Sequence, residues 1–441
     1  MKVMARLNEK IMEWLSDKRL HLCLVVVFCI IMAIEYVSFV YNQYCYMGFD
    51  YTVSPDSVTI GLLFLAISGL ALFANRKNSS FLYLTGICLA VFLCIPSAIM
   101  YIFGSVSAWC PLYSTLLLLL IIDNQLRIPP LRIKHIGYRW QIITLAFAVV
   151  MLTIPFAIKY GLPTNLKVFG LGSEVYDVRA AANEKANPLI SYLFSPFGKV
   201  LLPTLLIMGF LHKDLKIIAL SIVVMLYLFM VNPHKSLLFS IPVAIAFVFF
   251  KRYETKTGAF LLMIDIVLII SVMARVVMDN VLPESILVRR GFFLPTLICD
   301  KYFCFFDNNP MTLSHSIMRV FQEYPYEWEP SHLMGFVMHE MSETSCNTGI
   351  IADGFMNFGH IGVLLWIVLT VLIFKYIDSI GIRSAYFGLV FIFLYTLTNS
   401  ALLTSMLTHG GILLLLVLTF LVDRVNDGKT VAQYENSLQI S

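Results

Sequence analysis

Apolar runs of about 17–25 residues, the length that crosses a bilayer core of roughly 30 Å, recur along the whole chain. Twelve are read, at roughly 20–41, 57–74, 80–103, 106–122, 140–158, 189–211, 215–232, 236–250, 259–278, 351–375, 384–403 and 409–423. Those near 236–250 and 409–423 are the shortest. The pattern predicts an all-α polytopic transmembrane bundle, a single membrane domain over 1–441. Two polar stretches interrupt it, at about 159–188 and 279–350, and are expected as large loops on one side. No internal repeat or low-complexity tract is visible.

Composition agrees: 59% of residues are hydrophobic and 13% charged, where a soluble domain carries about a quarter charged. The first twenty residues carry Lys2, Arg6, Lys10, Lys18 and Arg19, with no small-residue cleavage site after the first apolar run. They do not read as a cleaved signal. Met4, Leu7, Ile11 and Leu15 are helically spaced, which fits a helix lying on the membrane surface; a frayed basic tail is the alternative.

Lys and Arg set orientation, because cytoplasmic loops are enriched in them. With the N-terminus inside, 20 of the 31 basic residues fall in short inside segments. That predicts both termini in the cytoplasm and both large loops outside. Of the nine cysteines, Cys299, Cys304 and Cys346 share the second loop, where an oxidising compartment would permit one disulfide. No spacing reads as a zinc site.

Several polar residues sit where burial is costly. The first loop holds Arg179 and Lys185, and Lys199 lies about ten residues into the next apolar run. A charge there is paired inside the bundle or faces a cavity holding an anion. His234 and Lys235, in NPHKS, read as a solvated turn between two spans. Arg289 and Arg290 stand together in ESILVRRGFFLPTL. Two planar forks at a membrane boundary suit a diphosphate, and snorkelling toward lipid head groups is the other reading. His315, His332 and His339 share the second loop, and histidine is a natural base near neutral pH. The aromatics Tyr302, Phe303, Phe305, Phe306, Tyr324, Tyr326 and Trp328 would stack on sugar faces or rest in the interfacial belt. Asp353 and Asn357, four apart, share a helical face at the start of an apolar run, with Gly349, Gly354, Gly359 and Gly362 around them. That polar stripe would bind acceptor hydroxyls, or cap the helix and bond to neighbouring helices.

The string SCNTGIIADGFMNFGHIG resembles the corresponding segment of bacterial O-antigen (oligosaccharide repeat-unit) polymerases, the Wzy family. RRGFFLPT and YFCFFDNNPMTLSHS resemble that family's second large periplasmic loop. The likeness covers most of the chain as architecture and about 290–362 as motif. It implies a GT-C-like glycosyltransferase of the bacterial inner membrane that joins undecaprenyl-diphosphate-linked repeat units into O-antigen or capsular polysaccharide. Metal-independent chemistry with no cofactor is expected, with the bilayer, a flippase and a chain-length regulator as partners and no nucleic acid. On this reading Arg179, Arg289, Arg290 and Lys199 hold the diphosphate, His315 or Asp353 is the base, and Asn347, Asn357 and His339 bind acceptor. His339 and Glu340 are further candidates for the base. A ligase of similar fold is the first alternative; the Cys346-Asn347 pair stands where ligases resemble a His-Asn pattern. A flippase or other transporter of lipid-linked sugars is the second.

Overall fold

A computed structural model describes residues 2–74, 79–129, 137–163, 168–169, 174–185, 188–341 and 343–424. It is all-helical: among the described residues 79% are helical and there is no strand. Among the described residues, seven helices are long and apolar enough to cross a membrane: Lys18–Met47, Pro55–Phe73, Ser80–Ile102, Tyr138–Tyr160, Ile190–Leu211, Tyr253–Met278 and Ile350–Ile380. Five more apolar helices of 10–17 residues fall on the remaining runs read from the sequence: Trp109–Ile122, Leu215–Val231, Lys235–Phe249, Ser384–Asn399 and Gly411–Phe420. They are shorter than the ~20 residues a perpendicular span requires. Arg76, Lys77, Arg132, Lys134, Ser173 and Lys429, among the residues used to judge topology, lie outside the described residues.

The chain divides into two compact units. The first comprises 1–127, 252–375 and 394–402; the second comprises 128–251, 376–393 and 403–441.

In the first unit the helix Ser80–Ile102 is almost wholly enclosed, with 94% of its apolar window buried. Phe292 fills the space beside it, stacked on Phe92 and edge-on to Phe28, both at 5.4 Å. The basic N-terminus is helical over Lys2–Leu15. Its end docks on Tyr253–Met278, where the Ser16 and Thr255 hydroxyls share a hydrogen bond of 2.7 Å.

The stretch 279–350, expected as a loop, is largely helical. Residues 282–306 form one continuous helical run and Pro330–His339 a second helix. Val288, Phe292, Pro295, Tyr302 and Phe306 are buried at helical spacing. Arg289, Arg290, Asp300 and Lys301 interleave with them, so a count of charges hides the apolar face. Cys299, Cys304 and Cys346 are free thiols. In the first expected loop, Glu174–Lys185 is a helix of 12 residues, and 164–167, 170–173 and 186–187 lie outside the described residues.

Four stretches widen from α to π geometry: Tyr36–Tyr41, Ala90–Cys94, Phe197–Leu201 and Ser285–Phe293. Three are followed, two residues past their end, by Pro96, Pro203 and Pro295. Proline has no N–H for the carbonyl four residues back, and its ring crowds that carbonyl. In each case that carbonyl belongs to the π stretch, at Phe92, Lys199 or Gly291, and a wider turn relieves the clash. Two of these bulges carry the cations singled out above, Lys199 and the Arg289–Arg290 pair.

Candidate functional site

In the second unit the bulge Phe197–Leu201 carries Lys199 on the wall of a cavity of about 210 Å³. Ser191, Ser195, Asn232, His234, Ser236, Thr408 and His409 complete its polar lining, and among the described residues no Asp or Glu contributes to it. Lys199 makes no hydrogen bond or ion pair with any described residue. His234 precedes the helix Lys235–Phe249 and does not cap it with its side chain, so the first N–H groups of that helix begin at the cavity wall. Arg179, on Glu174–Lys185, donates from Nη2 to the Pro233 carbonyl at 2.7 Å and so fixes the turn beside His234. Ser195 Oγ and His409 Nδ1 lie 3.2 Å apart.

Burial pushes both histidines down to about 4. Arg179, Lys199 and His409 push His234 down further, and Lys199 does the same to His409. Both imidazoles are therefore neutral near pH 7. A partly enclosed pocket lined by hydroxyls, neutral imidazoles and an ammonium that no described residue pairs favours an anion as its ligand.

The first unit holds the second arrangement. Ile350–Ile380 is broken at Phe358 (φ −141°, ψ 21°) and Gly359 (φ 60°, ψ −149°). Gly359 occupies a region that essentially only glycine adopts. The short arm 350–357 folds back on the long arm. A Cβ on Gly354 would lie 2.7 Å from the Gly362 carbonyl oxygen, so both positions need glycine for this approach. Asp353 holds the fold. Its Oδ2 accepts from Trp366 Nε1 at 2.6 Å and Leu402 N at 2.9 Å, and its Oδ1 accepts from Asn357 Nδ2 at 3.1 Å. The carboxylate is 2% exposed. With three donors around it and no open face, Asp353 is built as a clasp rather than as a group facing substrate.

Asn357 carries the arrangement outward. Its Oδ1 accepts from Leu313 N at 2.9 Å, while Met311 N and Thr312 N donate to the carbonyls of Met356 and Asn357 at 2.8 and 3.1 Å. These bonds pin a tight turn in which Thr312 and Leu313 take positive φ of 49° and 62°. His315 stands on that turn. Its Nδ1 is enclosed and has no hydrogen-bond partner. Burial lowers its pKa, and the Glu329 carboxylate acts in the opposite direction. The ring as a whole is only half-buried, and a neutral imidazole is the form a general base requires.

The remaining candidates are scattered. Arg289 is 8% exposed. It donates from Nε and Nη2 to Ser285 Oγ at 3.2 and 2.9 Å, and its guanidinium carbon sits 4.3 Å from the Tyr44 ring centre. No carboxylate pairs with it, in contrast to Arg275, which is held by Glu35 and Glu284. Arg290 is exposed on the same bulge. Asn347 is exposed and His339 half-buried at its helix end, and neither joins the Asp353–Asn357–Leu313 chain. Thus Asp353, Asn357 and His315 belong to one construction in the first unit, and Arg179 and Lys199 to one in the second.

Sequence reasoning missed His409 and read His234 as a plain solvated turn. Both stand immediately before an apolar helix, in THGG and NPHKS, which is the signal that would have found them. Among the described residues, no three His, Cys, Asp or Glu side chains converge to hold a metal ion. Compared with protein-family models, curated proteins and solved structures, the chain matches none.

Proposed function

We propose that this membrane protein is a glycosyltransferase that polymerises undecaprenyl-diphosphate-linked oligosaccharide repeat units at the outer face of the bacterial inner membrane. The observation that carries the reading is the acid-free cavity around the unpaired Lys199, with His234, His409 and the nearby Arg179. Outside the cytoplasm no nucleotide sugar is available, so the donor must arrive activated on a lipid. A diphosphate is the anion such a donor presents.

In a twelve-span topology with both ends inside, the segments carrying Lys199, His234, His409 and the turn 311–315 all fall on the outer side. The acceptor hydroxyl oxygen attacks the anomeric carbon, and the bond from that carbon to the diphosphate oxygen breaks. The hydroxyl proton passes to a base, a role that His315 of the first unit fits by its own surroundings, and the lipid diphosphate leaves with the electron pair. Fixed cations stabilise the charge growing on it, the larger part of catalysis in sites of this kind. Arg289, buried without an acid, and Arg290 beside it supply planar donors of the same use.

The test is reconstitution in liposomes with a synthetic undecaprenyl-diphosphate repeat unit. The parental protein should give a ladder of polymer, and Lys199→Met should reduce turnover on the order of 10²-fold. Transfer confined to a lipid-core acceptor would make it a ligase. No sugar transfer from any lipid diphosphate would remove the proposal.

A further inference from the structure

Beside the His315 turn, residues 319–329 enclose an open groove of about 370 Å³. The sequence QEYPYEWE (322–329) runs through it without joining a helix or sheet. It alternates: Glu323, Glu327 and Glu329 are exposed, while Tyr324, Tyr326 and Trp328 are half-covered. Exposure alternates along this bent stretch, so the Tyr324 and Tyr326 rings form the floor of the groove and the carboxylates its rim. The floor is held in place. The Tyr324 hydroxyl donates to the Trp328 carbonyl at 2.6 Å. Tyr326 packs on Phe305 and Phe306 at 6.0 and 6.4 Å, and Trp328 on Phe336 at 4.7 Å. Tyr302, Phe303 and Phe306, from the same aromatic set in the sequence, are buried core instead.

We propose that this groove is the saccharide subsite of the acceptor, and that it takes sugars bearing no acid group. This rests on the glycosyltransferase reading. Tyrosine rings offer flat apolar faces to the C–H side of a pyranose. Ionised carboxylates only accept hydrogen bonds, so they match sugar hydroxyls, which donate. Among the described residues Glu323 and Glu327 have no ion-pair partner, and Arg319 pairs with Glu329 at 3.7 Å. The surplus of negative charge repels a uronate and tolerates a neutral or amine-bearing sugar. The groove belongs to the acceptor because it is fastened to the base. Thr312 Oγ1 donates to Gln322 Oε1 at 2.6 Å, tying the His315 turn to the groove, and the Glu329 charge on the rim is near enough to favour the protonated form of His315.

The experiment is binding rather than turnover. The full-length protein in lipid nanodiscs is applied to an array of neutral, amine-bearing and uronate-containing oligosaccharides. The best-bound saccharide is then titrated by saturation-transfer NMR. Binding should be confined to acid-free saccharides. Tyr326→Ala should weaken it at least tenfold, and Glu327→Gln should admit uronates, both without a change in thermal midpoint. Binding to no saccharide, equal binding of uronates, or an inert Tyr326→Ala would overturn the subsite. A protein that binds sugar selectively but transfers none would overturn the proposed function and leave the groove standing.

Discussion

Trp366 donates its indole N–H to Asp353 Oδ2 across 2.6 Å. In a straight helix, residues thirteen apart would stand about 20 Å apart along the axis. The bond exists because the chain reverses at Phe358 and Gly359, and the same carboxylate also receives Leu402 N and Asn357 Nδ2. The most polar part of this apolar segment therefore builds a turn, and the turn carries the rest of the site.

Asp353→Ala should strip acceptors from three donors that have no water to turn to. Each stranded buried group costs about 1–3 kcal/mol. The expected result is a clear fall in thermal midpoint together with loss of turnover. Asp353→Asn should also destabilise, since its amide NH₂ would face a donor. A fully stable Asp353→Asn protein without turnover would mean instead that the carboxylate takes part in the chemistry.

Gly359 tests the turn from the backbone side. Nothing lies within 4 Å of where its Cβ would stand. Any loss on substitution is therefore conformational and not a clash. Gly359→Ala should cost on the order of 1–3 kcal/mol from its φ of 60° with ψ of −149°. Gly354→Ala should cost through contact, because the Gly362 carbonyl blocks it. Circular-dichroism melts in detergent would check both. An unchanged midpoint in Gly359→Ala would show that the arms do not fold back in solution.

The helices were legible because hydrophobic period and length survive without tertiary context. All twelve apolar runs fall on helices, and the Asp353–Asn357 spacing correctly put the two on one face. The fold-back was not legible. FMNFGHIG reads as a continuous helix until the Asp353–Trp366 contact is known, and glycine alone does not separate a bend from close packing. The helix 282–306 was hidden by its own charges. His409 could not be linked to Lys199 because their adjacency is wholly tertiary: some two hundred residues separate them in sequence.

The cavity around Lys199 should bind pyrophosphate more tightly as pH falls. His234 and His409 stand at about 4 without an anion, held down by burial and by neighbouring cations. A bound anion favours the imidazolium forms, so the complex holds more protons than the free protein. By linkage, affinity then rises on acidification, by up to about tenfold per pH unit for each proton taken up. Calorimetric titration in nanodiscs between pH 8 and 5 would show the slope, and Lys199→Met should abolish binding. The same depressed values run the other way for stability. An unfolded histidine titrates near 6.5, so the stability these residues contribute is complete above about 6.5 and is lost as pH falls toward 4. A pH-independent affinity would show that neither histidine meets the anion.

The base is tested by its acid limb. His315 works only when neutral, and burial holds its pKa below the ordinary histidine value while Glu329 partly restores it. In the free protein, kcat/KM should therefore be level above about pH 6.5 and fall tenfold per unit at lower pH. The break should lie below 6.5. Glu329→Gln removes the opposing charge, so the break should move to still lower pH while the plateau persists. His315→Gln should lose roughly 10²–10⁴-fold in turnover, the usual contribution of a positioned base. The acid limb should vanish with it, and binding of the donor lipid should remain. The joint behaviour of the two variants is what identifies the group: a residue that merely shaped the turn would lower the rate without removing the limb. A His315→Gln protein that polymerises at the parental rate, or a limb unmoved by Glu329→Gln, would take the base away from His315.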